Sequence, residues 1–246
     1  MPGCKSLIPF LVSAALFLTA SARAGDLTLT SKPTRTRLLE LFTSEGCSSC
    51  PPAEAWLSRL KDEPRLWQDF VPVAFHVDYW DRLGWRDPFA SKVWTARQYN
   101  YSACWNSSSV YTPAFVLDGQ DWQNNRLPAA SSETPGILKI SIRDPETVTV
   151  SFQPSKTGGR SFDVHVARLG FGLAINVKAG ENNGRKLLHD FVVLSLTDAP
   201  VTSAPREVRL SASIPTQASN SRKAIAAWVT ETGATEPIQA VGGWQP

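Results

Sequence analysis

The stretch LLELFTSEGCSSCPP, residues 38–52, decides the organisation of this chain. It begins as a short apolar run, which predicts a buried strand, and the run ends at a Ser-Glu-Gly turn. Cys47 and Cys50 follow, and a helix begins directly after them, with serines available to cap it and two prolines tolerated in its first turn. A thiol there faces free backbone N–H groups and the positive end of the helix dipole, which stabilise the thiolate. The stretch therefore predicts a redox-capable cysteine pair.

The first 24 residues have the pattern of a secretory signal peptide. Lys5 supplies a positive start, residues 8–18 are apolar but too short to span a bilayer, and Ala22–Ala24 fits a small-x-small cleavage site. We predict cleavage after about Ala24, a periplasmic or secreted location, and no membrane insertion once the signal is removed. A retained membrane anchor is the open alternative.

The charge of the chain argues against two classes of partner. The 246 residues carry a formal net charge of +3, and the leader holds Lys5 and Arg23 but no acid, so its removal lowers the charge by two. A nearly neutral protein has no electrostatic attraction to nucleic acid or to anionic membranes. The length suits two domains, which we place at residues 25–131 and 132–246.

The first predicted domain alternates strands with helices. The predicted elements are a strand over 38–43, a helix over 53–60, a buried parallel strand over 70–77, a helix over 90–102 and a strand over 110–119. A loop rich in aromatic rings and charges, residues 76–89, leaves the second strand.

The second predicted domain is composed of short alternating strands. About seven apolar/polar runs separated by turn signals indicate a β-sandwich. Residues 171–177 and 187–196 are expected to pair, because Asn183 and Gly184 between them form a hairpin turn signal.

A proline opens the third predicted strand of the first domain. Here the chain resembles the thioredoxin superfamily, in which a cis-proline preceded by a small residue opens the strand that faces a Cys-x-x-Cys pair. The resemblance implies that Pro113 is cis and that Thr112 offers its backbone to a substrate chain. An ordinary trans proline at a strand boundary is the alternative.

Longer motifs extend this resemblance to one particular family. The chain is similar to the DUF1223 family of secreted bacterial thioredoxin-like proteins in ELFTSEGCSSCPPA (40–53), FHVDYWD (75–81), LGW (83–85), DPF (87–89), VYTP (110–113), GENNGR (180–185) and His189. The similarity covers nearly all of the mature chain. It implies an α/β thioredoxin-like domain followed by an all-β sandwich-like domain, and it implies no particular reaction.

Three further side chains are candidates for tuning the cysteine pair. Glu40 lies in the strand that leads to Cys47, and a buried carboxylate there could accept a proton from the resolving thiol. His76 and Asp78 share one face at the carboxyl end of the second strand, where ligands of open α/β sheets bind. These two could tune the disulfide, bind a ligand, or form only a buried His–Asp hydrogen bond. Glu45, in the turn, is expected to be solvated.

Cys4 is removed with the predicted signal peptide, and the remaining cysteine and histidines give no recognisable metal site. A structural zinc site needs two ligands beyond Cys47 and Cys50, and no second cysteine pair exists. His165 and His189 fall on predicted sandwich strands, where packed or surface histidines are the rule. We therefore predict no metal and no cofactor.

Cys104 is expected to be a buried, inert thiol packed beside Trp105. The open alternatives are a third thiol that traps the mixed disulfide and a site of intermolecular pairing.

Two classes of function follow. In the first, the protein is an exported thiol–disulfide oxidoreductase: Cys47 forms a mixed disulfide with a protein or small-molecule thiol or disulfide partner, Cys50 resolves it, and Thr112 and Pro113 hold the partner chain. In the second, it is a non-enzymatic binding module. One version handles copper through the thiolates of Cys47 and Cys50, with or without His76 as a further ligand. The other version binds a protein, and its disulfide is structural. Because Met1 is the only methionine, a thioether-based copper site is disfavoured.

Overall fold

The computed structural model describes residues 27–123, 126–144, 146–156, 158–211 and 213–245. The predicted signal peptide, residues 1–24, lies outside the described residues. Within the described part, no helix has both the length and the apolar character needed to cross a membrane.

An eight-stranded mixed sheet forms the centre of the molecule. In spatial order its strands are β14 (Pro237–Trp244), β13 (Arg222–Glu231), β8 (Phe162–Phe171), β11 (Val192–Val201), β3 (Phe70–His76), β2 (Arg37–Thr43), β4 (Ala114–Leu117) and β5 (Gln120–Asp121). The pairs β11–β3 and β3–β2 are parallel, and the other neighbours are antiparallel.

Two smaller sheets and two helices complete the described structure. A four-stranded antiparallel sheet has the order β1 (Leu27–Thr30), β6 (Gly136–Asp144), β7 (Thr147–Pro154), β12 (Arg206–Arg209). A ribbon pairs β9 (Leu173–Asn176) with β10 (Lys186–His189). The α-helices are α1 (Pro51–Arg59) and α2 (Lys92–Cys104), and short 3-10 turns occupy Leu60–Asp62, Asp81–Leu83 and Thr216–Ala218.

Strands β2 and β3 are covered on both faces. Every residue of β3 is buried, as expected for a parallel strand whose two faces both pack. Side chains of β2 alternate between the faces, so Glu40 contacts α2 while Thr43 contacts α1. The site beside the cysteines therefore rests on a rigid, fully packed pair of strands.

A second apolar core lies between the eight-stranded and four-stranded sheets. It is built from alternating residues of β6 and β7, such as Leu138, Ile140 and Val150, which pack with Val164 of β8 and Ile225 of β13. The period-2 alternation in the sequence places these side chains on one face.

The predicted fold class, an α/β thioredoxin-like domain followed by an all-β sandwich-like domain, is wrong. The structure is mostly β, with large mixed sheets and only two short α-helices among the described residues. Strands β8, β11, β13 and β14 lie in the same sheet as β2, β3 and β4. The two predicted domains share one sheet because β11 pairs with the edge of β3 that β2 leaves open. Ala74 pairs with Val192, and the Ala74 N–H donates to the carbonyl of Phe191 at 2.8 Å. The alternation of apolar and polar residues in the sequence predicts where the strands lie, but not which strands pair with one another. The division into residues 25–131 and 132–246 stays a prediction.

Candidate functional site

Cys47 and Cys50 form a disulfide at the start of α1, with their Cα atoms 5.4 Å apart. Cys50 is the N-cap residue, and its carbonyl accepts the N–H groups of Ala53 and Glu54 at 3.0 and 3.1 Å. Both cysteines have no exposed surface. Of the turn between β2 and α1, only the two serines between the cysteines are exposed, so the disulfide is covered by its surroundings.

The Thr112–Pro113 peptide bond is cis, which confirms that prediction. The sulfur of Cys47 lies 3.7 Å from the carbonyl oxygen of Thr112. Trp80 fixes this segment, because its Nε1–H donates to Oγ1 of Thr112 at 2.8 Å. A groove of about 640 Å³ continues from Pro113 along α1. Its lining includes Pro52, Trp56, Phe115 and Trp122.

The loop of the β9–β10 ribbon closes over the disulfide turn. The Nδ2 group of Asn182 donates to the carbonyls of Glu45 and Cys47 at 2.8 and 2.9 Å, and the Asn182 side chain is fully buried. Glu181 accepts the N–H of Ser48 at 3.0 Å, and this hydrogen bond lowers the pKa of the Glu181 carboxyl. The loop therefore holds the turn at three backbone positions.

Beside the disulfide turn lies a buried group that we call the histidine–carboxylate cluster: Glu45, Glu54, His76, Asp87 and His189. Each of the five is at most 6% exposed. Nδ1 of His189 lies 2.5 Å from Oε2 of Glu54, and its Nε2 lies 3.1 Å from Oε1 of Glu45. Nδ1 of His76 lies 2.7 Å from Oδ2 of Asp87. The two imidazole rings pack edge to face, with centroids 5.1 Å apart.

Neighbouring groups orient the carboxylates of this cluster. Thr43 donates its hydroxyl to Oε1 of Glu54 at 2.5 Å, and Trp85 donates Nε1–H to Oε2 of Glu45 at 2.6 Å. The N–H of Glu45 donates to Oδ2 of Asp87 at 2.9 Å. Thr43 and His76 are register partners on β2 and β3, which places both on the face that meets α1.

Burial and mutual attraction compete in setting the pKa values of the cluster. Burial alone disfavours the charged imidazolium of His189, but the carboxylates of Glu54 and Glu45 outweigh it and raise its pKa to about 10. The pKa of Glu54 is lowered, because the attraction of His189 and His76 exceeds the cost of burial. In the same way Asp87 raises the pKa of His76, and His76 lowers that of Asp87. The cluster is thus a set of paired buried charges.

Two of the candidate tuning residues, Glu40 and Asp78, form hydrogen bonds with α2 rather than with the cysteines. The Glu40 carboxylate accepts two hydrogen bonds from Arg97, at 2.7 and 3.1 Å, and one from Tyr101 at 2.5 Å. Asp78 accepts the hydroxyl hydrogen of Thr95 at 2.6 Å. Both therefore bind α2. Of the three candidates, only His76 lies beside the disulfide turn. The aspartate that it contacts is Asp87, not Asp78.

Two expectations about exposure are wrong. Glu45 is fully buried rather than solvated, because Trp85 and His189 satisfy its carboxylate. Cys104 is an exposed free thiol rather than a buried one, and its sulfur lies 3.4 Å from Oγ1 of Thr235. Cys104 is the last residue of α2, so no further helical turn covers it, whereas Tyr101, within the helix, is buried.

Sequence reasoning missed the roles of Glu54, Asp87, Asn182 and His189. Glu54 had a signal: it follows Cys50 by four residues, which places both on one side of the new helix. His189 had another, since it lies two residues after Leu187 and therefore on the same buried face of β10. Asp87 and Asn182 lie in loops, where no periodicity shows which way a side chain points.

The fold is similar to two solved structures. One is an X-ray crystal structure of a protein from Agrobacterium tumefaciens, with a TM-score of 0.60 and 24% identity, covering 87% of this chain and 95% of that chain. The other is HBP35 of Porphyromonas gingivalis, with a TM-score of 0.53 and 12% identity, covering 87% of this chain and 76% of that chain. At these identities the likeness concerns the fold alone. No curated protein matches the chain. The family described as "Protein of unknown function (DUF1223)" matches residues 38–230, and the chain therefore belongs to the DUF1223 family.

Proposed function

We propose that this protein is an exported thiol–disulfide oxidoreductase whose redox pair is Cys47 and Cys50. The observation that carries the proposal is the disulfide at the N-terminus of α1, with Cys47 against the Thr112 carbonyl. A helix N-terminus stabilises a thiolate, which is both the attacking and the leaving group of disulfide exchange. The signal-peptide pattern of residues 1–24 supports export to an oxidising compartment.

The exchange proceeds in two balanced steps. The Cys47 thiolate attacks a partner disulfide, so that a Cys47–partner bond forms and one partner sulfur leaves as a thiolate. The Cys50 thiolate then attacks the Cys47 sulfur, restores the intramolecular disulfide and releases the second partner thiolate. Two electrons pass from the protein to the partner, and the reverse sequence oxidises a partner dithiol.

The groove beside Pro113 supports an extended partner chain. It runs between Pro113 and the start of α1 and is lined mainly by proline and aromatic side chains, which favour binding of an apolar segment. Because both cysteines are buried, exchange requires a local opening of the covering loop. Asn182 and Glu181, which hold the turn closed, are the contacts that this opening breaks.

Complete burial of the disulfide favours one alternative, a protein-binding module in which the disulfide only stiffens the turn. The copper-handling alternative gains no such support. Its candidate third ligand is His76, and the ring of His76 contacts Asp87, Phe89 and His189.

The test measures exchange in a Cys104→Ser background, which removes the exposed thiol. The protein is equilibrated with glutathione buffers to obtain the reduction potential of the pair. Cys50→Ser, which lacks the resolving thiol, is expected to accumulate a mixed disulfide with a model disulfide substrate, whereas Cys47→Ser, the matched control, is not. A potential below about −300 mV together with no trapped adduct marks a structural disulfide and contradicts the proposal.

A further inference from the structure

We propose that Glu54, His76 and His189 form a binding site for one divalent transition-metal ion. One potential ligand atom from each residue lies within 4.8 Å of the others, and all three side chains are buried. The independent sign of a ligand is Nε2 of His76, a buried polar atom that has no hydrogen-bond partner among the described residues. The inference does not depend on the redox activity of Cys47 and Cys50, and it departs from the metal-free site predicted from the sequence.

Both histidines are already oriented for coordination. Nδ1 of His76 is bonded to Asp87 at 2.7 Å, which leaves Nε2 as its ligand atom. Nε2 of His189 is bonded to Glu45 at 3.1 Å, which leaves Nδ1 facing Glu54 at 2.5 Å. In metal sites the second ring nitrogen of a histidine ligand almost always binds a carboxylate or carbonyl in this way, which fixes the ring and its tautomer. Here each histidine has its own carboxylate.

The size of the site fits a small ion. Ligand atoms about 2.0–2.2 Å from a tetrahedral ion lie roughly 3.3–3.6 Å apart, so changes of about 1–1.5 Å in the separations of the side chains complete the set. The ion takes the place of the hydrogen between Glu54 and His189 and of the hydrogen on Nε2 of the charged His76 imidazolium. Both protons leave to solvent. The three buried carboxylates of Glu45, Glu54 and Asp87 provide the compensating charge around the ion.

The donor set selects the class of ion. Two imidazole nitrogens and one carboxylate oxygen suit Zn²⁺ or Fe²⁺, while Mg²⁺ and Ca²⁺ prefer all-oxygen sites. Three protein ligands leave a coordination position open, as in catalytic rather than structural zinc sites. The ion therefore keeps one coordination position for water or for a small anionic ligand.

The first test uses the unmodified site in Cys104→Ser protein without an affinity tag and with its disulfide intact. Zn²⁺ is titrated against a chromophoric chelator, and imidazole ¹⁵N shifts are recorded with and without one equivalent. We expect one ion per chain and shifts at Nε2 of His76 and Nδ1 of His189. His165, bonded to Asp198 and Thr230, is the internal control and should not shift.

The second test compares variants. His76→Gln and Glu54→Gln are each expected to weaken Zn²⁺ binding at least tenfold, whereas His165→Gln, the matched histidine control, leaves it unchanged. The proposal is overturned if the wild-type site binds no Zn²⁺ at about 100 μM, or if only His165 shifts. Binding that appears only after the disulfide is reduced assigns the ion to the thiolates and also overturns it. The nitrogen shifts decide the question even if a variant does not fold.

Discussion

Nδ1 of His189 lies 2.5 Å from Oε2 of Glu54, although 135 residues separate the two in sequence. The contact ties the β9–β10 ribbon to the first turns of α1, and Thr43 holds the other carboxylate oxygen. Because all these groups are buried, neither partner can turn to water if the other is removed.

Glu54→Ala is expected to lower the free energy of unfolding by about 3–5 kcal/mol, because it leaves the buried charge of His189 without this partner. Glu54→Gln keeps the shape and the hydrogen-bonding atoms, so its cost should be smaller. Urea unfolding measures both. Glu207→Gln, at an exposed position of β12, is the control and should change stability by less than about 0.5 kcal/mol. An equally small loss in Glu54→Ala would show that the contact does not stabilise the fold.

Asn182→Ala is expected to speed reduction of the Cys47–Cys50 disulfide by about tenfold or more. The variant loses two hydrogen bonds to the disulfide turn, each worth about 1 kcal/mol, and so makes local opening easier. The rate is measured with dithiothreitol and mass spectrometry. Asn183→Ala removes a neighbouring exposed amide and should leave the rate unchanged. Equal rates in the two variants would mean that the loop does not control access.

Glu40→Gln is expected to reduce stability without changing the reduction potential of the pair. Its carboxylate, which is fully buried, neutralises partly buried Arg97 on the α2 side of the sheet, so its loss costs about 3 kcal/mol. The potential should stay within about 10 mV of wild type, since a tenfold change in the redox equilibrium is about 30 mV. Glu133→Gln, an exposed partner of Arg35, is the stability control. A shift of about 30 mV in Glu40→Gln would restore the tuning role.

Cys104 should be the only thiol labelled by maleimide in the folded, oxidised protein, because it is exposed and the other two cysteines of residues 27–245 are in the disulfide. Cys104→Ser should abolish labelling and leave the Cys47–Cys50 reduction potential unchanged. A changed potential, or loss of a covalent dimer on non-reducing gels, would instead place Cys104 in the redox relay or in intermolecular pairing.

Local elements of the fold were predictable from the sequence. The predicted strands over 38–43 and 70–77 correspond to β2 and β3, and the predicted helices over 53–60 and 90–102 correspond to α1 and α2 within two residues at each end. The expected pairing of residues 171–177 with 187–196 is confirmed for 173–176 and 186–189, whereas residues 192–196 pair with β8. Side-chain periodicity and turn residues are local signals, and they identified these elements correctly.

The site was predictable only where its residues are close in sequence. The cysteine pair and its helix were visible in residues 38–52, and the cis-proline came from a resemblance. The contact between Glu45 and His189 joins positions 144 residues apart, so it depends on where β10 lies. The alternation of side chains along a strand places Glu40 and Leu41 on opposite faces of β2. It does not show that Arg97 of α2 lies against the Glu40 face.

The parallel pairing of Ala74 with Val192 also sets an order of assembly. When the chain is made, β3 emerges long before β11, and until then one edge of a strand with the sequence FVPVAFH has no partner. Such an edge readily pairs with other chains. The eight-stranded sheet therefore begins with β2 and β3 and gains β11 only much later in synthesis. During that interval the unpaired edge of β3 exposes the folding chain to aggregation.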